Sequence, residues 1–328
     1  MTRGSTDDRV LAVLLGLFGL AGFVPLFAGD YWIGLGFSLL MWIALTQSWS
    51  LFSGLSGYVS LGHVVFYGLG TYLVVATWET VSLWFALPLA ALAGAAFALL
   101  IGFPVLRVRG PYFVILSFGV AELVKYIVLA IEAELGHASR ILLGAPDVPT
   151  LFWMMLSLAT LSCIIAWAAR RARLGAGLRA IREDEIAAET IGVPVAGYKL
   201  AALVLSALIP GAVGGVVALR ATYFEPLQTF DPMVSFTMIA MAIIGGSDDL
   251  RRPVLGALFL ALLSELLWAT APQAYMVILG VLLVGFVLFV PGGITGWLAR
   301  RAGSAAVTRS DAGELRADDD QPARRAAR

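Results

Sequence analysis

The sequence predicts an all-α, polytopic membrane protein with about ten transmembrane helices. Two observations support this fold class: 60% of the 328 residues are apolar and only 13% are charged, and the apolar residues form continuous runs. A helix that crosses a bilayer needs roughly 20 mostly apolar residues, which is close to the length of most of these runs. Strands of a transmembrane β-barrel would instead alternate apolar and polar residues. Continuous runs therefore favour helices.

Ten apolar runs lie within the predicted membrane domain, residues 10–298. They are 10–27, 31–52, 63–78, 83–103, 112–131, 151–169, 200–219, 233–245, 254–271 and 274–290. Runs 63–78 and 233–245 are short, which indicates broken or tilted helices. The first run follows two arginines in the manner of a signal peptide, but nine more runs follow and no Ala-x-Ala-like cleavage site stands out. We therefore interpret it as a membrane span.

The positions of Lys and Arg predict that both termini are cytoplasmic, because positive residues concentrate in cytoplasmic loops. With ten spans and an inner amino terminus, only Arg140 and Arg220 fall outside. The inner segments hold Arg3, Arg9, Arg107, Arg109, Arg170, Arg171, Arg173, Arg179, Arg182, Lys199, Arg251, Arg252, Arg300 and Arg301. Residues 1–9 are then a cytoplasmic segment and 170–199 a cytoplasmic loop. The Ala-, Arg- and Asp-rich residues 299–328 form a tail that we expect to be disordered.

Several classes of function lack the residues they need. The net charge is zero, so nothing points to nucleic acid binding. Cys163 is the only cysteine, which excludes an internal disulfide. His63 has no Cys, Asp or Glu at ligand spacing, so neither a metal nor a cofactor is predicted. The spans show no carboxylate pair, histidine cluster or nucleophile triad of a membrane enzyme. The chain also lacks the Gly-x-x-x-x-Gly-Lys-[Ser/Thr] loop that binds ATP.

Residues 169–199 form a charged, helix-prone stretch between apolar runs. We predict one helix over 178–191, ended by Gly192 and Pro194. At about 100° per residue one face is small or apolar, and Asp184 interrupts it. That face holds Ala180, Ile181, Ala187, Ala188 and Ile191, and the opposite face holds Arg179, Arg182, Glu183 and Glu189. Two interpretations stay open: a helix that docks against a soluble partner, and a solvated helix on the membrane surface.

A glycine-rich stretch, residues 54–72, follows the second apolar run. Gly54 and Gly57 are compatible with a non-helical break, which a membrane tolerates where it lines a cavity. Gly62, in turn, allows close helix packing. A translocation path and plain small-residue packing are both compatible with this pattern. His63 is either a histidine hydrogen-bonded at a helix start or a substrate-contacting, pH-sensitive group.

A few charged residues lie inside the apolar runs or in turns between them. Glu122 and Lys125 lie three residues apart on one helix face, as an ion pair or as contacts for a zwitterionic solute. Glu265 has no basic residue nearby in sequence, which favours a tertiary or interfacial contact over a substrate role. The segment 107–112 is typical of a positive anchor before a span, and 245–257 of a tight cytoplasmic turn.

Two segments resemble branched-chain amino acid ABC transporter permeases of the LivM type. The run Gly-Leu-Arg-Ala-Ile-Arg-Glu-Asp-Glu-Ile-Ala-Ala-Glu, residues 177–189, with Gly192 and Tyr198-Lys199 after it, closely resembles the family's cytoplasmic coupling loop. The glycine-rich stretch carries the family's Gly57, Ser60, Leu61, Gly62, His63, Phe66, Gly68 and Gly70. The resemblance runs from about residue 35 to 297. It departs at 247–252, where the family usually has a less charged, glycine-rich link.

This resemblance implies a type II ABC importer-like permease in the inner membrane of a prokaryote. It also implies two ATPase subunits, a second related permease subunit, an extracytoplasmic solute-binding protein and contact with membrane lipid. The residues that it assigns to ATPase coupling are Leu178, Arg179, Ala180, Ile181, Arg182, Asp184, Ala187, Ala188 and Gly192. The candidates for the translocation path are Gly57, Ser60, Gly62, His63, Glu122 and Lys125.

The implied function is the permease subunit of an ATP-driven importer for branched-chain amino acids, with ATP hydrolysis left to partner subunits. A urea or short-chain amide permease of the same superfamily remains an alternative. An ion-coupled secondary transporter is a further alternative, but it needs intramembrane carboxylates, and only Glu122 and Glu265 are present for that role.

Overall fold

Helices account for nearly all of the fold, in a computed structural model that describes residues 3–136, 140–142, 144–246, 249–270, 278 and 280–281. The helices are α1 (Arg3–Ala21), α2 (Val24–Phe27), α3 (Asp30–Trp49), a π-helix (Ser50–Gly54), α4 (His63–Thr77), α5 (Leu83–Val105), α6 (Pro111–Glu134), α7 (Val148–Arg171), α8 (Arg173–Glu183), α9 (Glu185–Thr190), α10 (Val195–Ala221), α11 (Pro226–Thr229), α12 (Pro232–Gly245) and α13 (Arg251–Thr270). Two short antiparallel strands, β1 (Arg140–Ile141) and β2 (Tyr223–Phe224), join the loops after α6 and α10.

Eight helical segments of the described chain are long and apolar enough to cross a membrane. They are Asp7–Phe27, Asp30–Gly54, Leu83–Val105, Pro111–Glu134, Val148–Arg171, Val195–Ala221, Pro226–Gly245 and Arg251–Thr270. The ninth apolar helix, α4, is short at 15 residues, as its sequence predicted. The tenth predicted run, 274–290, and the tail at 299–328 lie outside the described residues apart from 278, 280 and 281. The prediction of an all-α, polytopic membrane protein is confirmed, with the count of ten left approximate.

The structure agrees with the prediction that the short run 233–245 belongs to a broken helix, because α11 and α12 are separated at Phe230 and Asp231. Helices α11 and α12 together cover 20 residues, which is a full membrane length. The extension begins at Pro226 because proline is favoured at the first helical position, where its missing N–H costs nothing. Asp231 then caps α12, its carboxylate accepting a hydrogen bond from the Met233 N–H at 2.9 Å. A window of hydropathy does not detect either of these local signals.

Helix α10 lies at the centre of the bundle, against α4 and α5. Glycines allow this packing at backbone distance: a Cβ built on Gly70 of α4 would lie 1.9 Å from the carbonyl oxygen of Gly211 on α10. A Cβ on Gly214 would likewise lie 2.1 Å from the carbonyl oxygen of Tyr67. Small residues let membrane helices approach closely enough for dispersion contacts to hold them together. The glycines between 62 and 72 therefore include true packing positions.

The chain leaves the helical conformation between α3 and α4. After the π-helix, residues 57–62 are non-helical, and α4 begins at His63. Gly57 has a φ of 77°, a left-handed conformation that glycine adopts without the cost that a side chain imposes. We call residues 54–62, from the last residue of the π-helix to the start of α4, the break. The structure thus shows an interruption of the helix at the glycine-rich stretch.

Candidate coupling segment and helix break

The charged stretch between α7 and α10 forms two helices, α8 and α9, which we call the coupling segment. The prediction of one helix over 178–191 was wrong: the helix begins at Arg173, and Asp184 interrupts it with extended backbone angles of −155° and 114°. The Asp184 carboxylate accepts hydrogen bonds from the N–H groups of Ile186 at 2.9 Å and Ala187 at 3.0 Å. An aspartate in a helical stretch favours this N-cap, because its side chain satisfies the free backbone donors of a new helix.

The C-terminal end of the coupling segment follows its sequence signals. Helix α9 ends at Thr190, and Gly192 has a φ of 87°. The N–H groups of Gly192 and Val193 bond to the carbonyl oxygens of Glu189 and Ala188. A left-handed glycine followed by a proline is a common helix stop.

The predicted small face of the coupling segment is divided between two environments. Leu178, Ile181 and Ala188 are buried against the rest of the chain, and Ala180 is half-buried. Ala187 is exposed. Ile191, which belongs to this face, is 76% exposed, and the neighbouring Ile186 is 64% exposed. The prediction of a single apolar face is thus wrong. The wheel assumed one continuous helix, whereas the interruption at Asp184 gives α9 a different direction from α8.

The carboxylate of Glu185, the first residue of α9, is the centre of an ionic cluster. It accepts hydrogen bonds from the Tyr58 hydroxyl and, at 3.0 Å, from Lys199 Nζ. Arg109 Nε lies 3.2 Å from the same carboxylate. Lys199 is only 2% exposed and its ammonium also lies over the Tyr58 ring, 4.4 Å from the centroid. The Glu185 cluster, these four residues, therefore joins the break, the entry to α6, α9 and the start of α10.

Electrostatics keep Glu185 ionised. Burial alone would raise the pKa of this carboxyl, but the hydrogen bonds from Tyr58 and Lys199 and the positive charges of Lys199 and Arg109 outweigh burial and hold its pKa below the ordinary value. The anion in turn stabilises the buried Lys199 ammonium, which would otherwise lack a counter-charge in a poorly solvated place.

Sequence reasoning missed Tyr58 and Glu185 as functional candidates and interpreted Arg109 only as a membrane anchor. Four residues far apart in sequence carry no common spacing that a pattern could reveal. One signal was present: Lys199 is a charged residue at the start of an apolar run, and such residues are usually paired.

Arg182 of α8 contacts the break directly. Its Nη1 donates a hydrogen bond to the carbonyl oxygen of Gly54 at 2.9 Å. A Cβ built on Gly57 would lie 3.0 Å from Arg182 Cγ, so the glycine is required for close approach as well as for its positive φ. The coupling segment therefore reaches the break at two places, through Arg182 and through Glu185.

His63, the first residue of α4, is fully buried with both ring nitrogens at hydrogen-bond distance from serines. Nδ1 lies 3.1 Å from Ser60 Oγ, and Nε2 lies 3.2 Å from Ser206 Oγ on α10. The Ser60 carbonyl oxygen accepts a hydrogen bond from Trp49 Nε1 at 2.8 Å. Of the two interpretations made from sequence, the structure shows the hydrogen-bonded histidine at a helix start.

Serine side chains from two other helices satisfy the backbone of the break. Ser117 of α6 accepts a hydrogen bond from the Leu61 N–H at 3.1 Å. Ser235 of α12 donates to the Leu61 carbonyl oxygen at 2.8 Å and accepts from the Val64 N–H at 3.0 Å. Gly62 lies under the same contact, since a Cβ on it would be 3.3 Å from the Ser117 carbonyl oxygen. Non-helical backbone in a membrane protein requires such partners, and here they belong to two separate helices.

The remaining predicted residues lie apart from the break. Glu122 and Lys125 form an ion pair at 2.5 Å, which is the self-satisfied alternative. Glu265 accepts a hydrogen bond from the Tyr31 hydroxyl at 3.0 Å, which is a tertiary contact. Gln47 of α3 contacts the turn before α13: its Nε2 donates a hydrogen bond to the carbonyl oxygen of the buried Leu250 at 2.9 Å. Within the described ranges no group of three His, Cys, Asp or Glu residues could hold a metal ion.

A comparison with protein families decides what kind of protein has this fold. Residues 33–287 match the family described as "Branched-chain amino acid transport system / permease component". The chain belongs to this family. It is therefore a permease component, and the prediction made from the two resembling segments is confirmed.

Curated relatives of the permease agree with the family. The chain is 28% identical over 327 aligned residues to the high-affinity branched-chain amino acid transport system permease protein LivM of Salmonella typhimurium. It matches LivM of Escherichia coli to the same extent. Each alignment covers 89% of this chain and 76% of the relative. No solved structure shows significant similarity to the chain.

Proposed function

We propose that this permease is the membrane subunit of an ATP-driven importer for branched-chain amino acids, and that its coupling segment transmits the motion of an ATPase subunit to the break. The observation that carries the proposal is the double contact of the coupling segment with the break, through Arg182 and through the Glu185 cluster. A segment that only covered the membrane surface would not be expected to contact an interrupted helix at two points.

The outer surface of α9 supports contact with a soluble subunit. Ile186 of α9 and Ile191 directly after it are large aliphatic side chains on a charged segment outside the spans, and both are mostly exposed. Exposed apolar residues rimmed by charge are typical of protein interfaces. The neighbouring Glu183 and Glu189 are exposed as well and supply charges that set the register of a docked partner. The proposed partner is an ABC ATPase, one of two in the complex.

The proposed orientation places the coupling segment in the cytoplasm together with both termini. Arg170, Arg171 and Arg173 lie at the junction of α7 and α8, and positive residues near span ends favour the cytoplasmic side. A second permease subunit and an extracytoplasmic solute-binding protein complete the proposed importer. Affinity for the solute then resides in the binding protein, so the permease needs only weak contacts along its path.

The break is proposed as the part of the translocation path that the ATPase controls. Ser60 and His63 are buried here, so they reach a solute only after the helices around them separate. The bonds from Ser117 and Ser235 to the break connect it to α6 and α12. A pull on Gly54 and Tyr58 by the coupling segment would strain these bonds and favour a second arrangement, as alternating access requires.

Branched-chain amino acids are proposed as the substrate because the relatives carry that name over most of the chain. The test is uptake by proteoliposomes that contain the complete importer with its binding protein. We expect ATP-dependent uptake of leucine, isoleucine or valine. Uptake of urea or a short amide instead would transfer the chain to the alternative substrate class, and uptake driven by an ion gradient without ATP would refute the ATPase mechanism.

A further inference from the structure

A cavity of about 500 Å³ opens beside the Glu185 cluster, at the edge of the membrane spans. The end of α5, the residues before α6, the start of α10 and one side of α9 enclose it. This volume falls within the range of small-molecule binding sites. The cavity has an apolar wall and a cationic rim, which complement an apolar portion and an anionic portion of one ligand.

The apolar wall is continuous with the lipid-facing surface of α5. Phe103 and Leu106 line the cavity, and Phe103 is 61% exposed. Leu99 and Leu100, one turn earlier on the same spanning helix, are exposed too. Exposed leucine and phenylalanine side chains on a spanning helix contact hydrocarbon. One side of the cavity therefore opens towards the acyl chains of the bilayer.

The rim carries two arginines at the level where the hydrocarbon ends. The Arg107 guanidinium lies over the Phe103 ring, 4.6 Å from its centroid. Arg109 uses its Nε for Glu185, which leaves its two terminal nitrogens for another acceptor. Glu185 and Glu189 also line the cavity, but so does Lys199, so three cations face two carboxylates and the lining has a net charge of +1. The two guanidinium groups therefore make the rim favourable for an anion.

We propose that this cavity binds one anionic phospholipid, with the phosphate at Arg107 and Arg109 and an acyl chain along the exposed surface of α5. Guanidinium groups match the oxygens of a phosphate with paired hydrogen bonds. Basic pockets between membrane helices at the cytoplasmic surface bind lipid headgroups in this manner. A soluble anion would use the rim alone, whereas the apolar wall complements only a ligand with a chain.

The site goes beyond the proposed import function and connects to it at one residue. Arg109 belongs both to the rim and to the Glu185 cluster. A bound headgroup therefore holds Arg109 beside the coupling segment, and the lipid composition of the membrane acts on the cluster.

The test measures lipid binding to the purified complete importer by native mass spectrometry, with phosphatidylglycerol and phosphatidylcholine as probes. We expect preferential retention of phosphatidylglycerol. Arg107→Gln and Arg109→Gln should each weaken that retention roughly fivefold, the effect of removing one charge beside an anionic lipid. Arg107→Lys and Arg109→Lys keep the charge but lose the paired hydrogen bonds, so they should retain more phosphatidylglycerol than the glutamine variants and less than the wild type. Arg9→Gln, which removes an exposed arginine from α1 away from the cavity, is the matched control and should change nothing.

Three outcomes would overturn the proposal. Equal retention of the two lipids would show that the site does not select an anionic headgroup. An equal effect of Arg9→Gln would show that the lipid does not bind at Arg107 and Arg109. Retention by the isolated permease that disappears in the complete importer shows that a partner subunit occupies the cavity instead. None of these readouts requires transport, so a failure of the lipid site is distinguishable from a failure of the import function.

Discussion

Glutamine at position 185 tests the connection between the coupling segment and the break. Glu185→Gln keeps the shape of the side chain but removes the negative charge that Lys199 and Tyr58 contact. Arg109 is 57% exposed at its side chain, so its pairing adds little. The Lys199 contact is buried, and a charge-assisted hydrogen bond contributes about 2 kcal/mol. If this hydrogen-bond energy couples the coupling segment to the break, its loss lowers uptake per ATP hydrolysed about 30-fold.

The assay compares ATP hydrolysis and leucine uptake in proteoliposomes that hold the complete importer. We expect Glu185→Gln to retain most of the ATPase activity stimulated by loaded binding protein, while uptake falls. The matched control is Glu183→Gln, which removes an exposed carboxylate two residues earlier on α8 and should leave both quantities unchanged. Melting of the complex monitors assembly. Unchanged uptake per ATP in an intact Glu185→Gln complex, or an equal defect in the control, would refute the reasoning.

Three further perturbations address the break, the packing and the ionic cluster. Gly57→Ala places a side chain at a positive φ and near Arg182, which costs about 1 kcal/mol or more, so uptake and melting temperature should both fall. Gly70→Leu collides with the Gly211 backbone, so the purified complex should no longer accumulate. The lowered pKa of Glu185 makes its stabilisation present above the ordinary carboxyl pKa, about 4.3, and lost as the pH falls through the lowered value. The melting difference between wild type and Glu185→Gln should therefore shrink in acid.

Controls for these variants come from positions without close neighbours. Gly119 on α6 has no atom within 4 Å of a built Cβ, so Gly119→Ala should be neutral for uptake and accumulation. A neutral Gly57→Ala would remove the left-handed glycine from the account, and normal accumulation of Gly70→Leu would contradict the backbone contact. A melting difference that persists unchanged in acid would show that the Glu185 charge does not stabilise the fold.

Local properties of the chain were predictable from its sequence. Hydropathy identifies spans because a membrane requires apolar side chains and internally bonded backbone within one continuous stretch. The ion pair between Glu122 and Lys125 was also predictable, because residues three apart in a helix share a face. The stop of α9 at Gly192 also follows from adjacent residues alone.

Contacts between distant residues were not predictable. Tyr58, Arg109, Glu185 and Lys199 meet only after four elements have packed, and no spacing in the sequence encodes their meeting. The interruption at Asp184 was missed for a different reason: a helical wheel assumes one continuous helix, whereas an aspartate can end one helix and cap the next. The single apolar face drawn on that wheel failed with that assumption.

Crosslinking from α9 tests the central claim most directly. Cys163, the only native cysteine, is buried, so a cysteine introduced at the exposed Ala187 is the main reactive thiol of the permease. We predict that a maleimide–benzophenone reagent, which couples to the introduced thiol and inserts into nearby C–H bonds on illumination, joins Ala187→Cys to an ATPase subunit in the complete importer. Leu135→Cys, at the opposite end of α6 from Arg109, should give no such product. A crosslink from Leu135→Cys and none from Ala187→Cys would contradict the account.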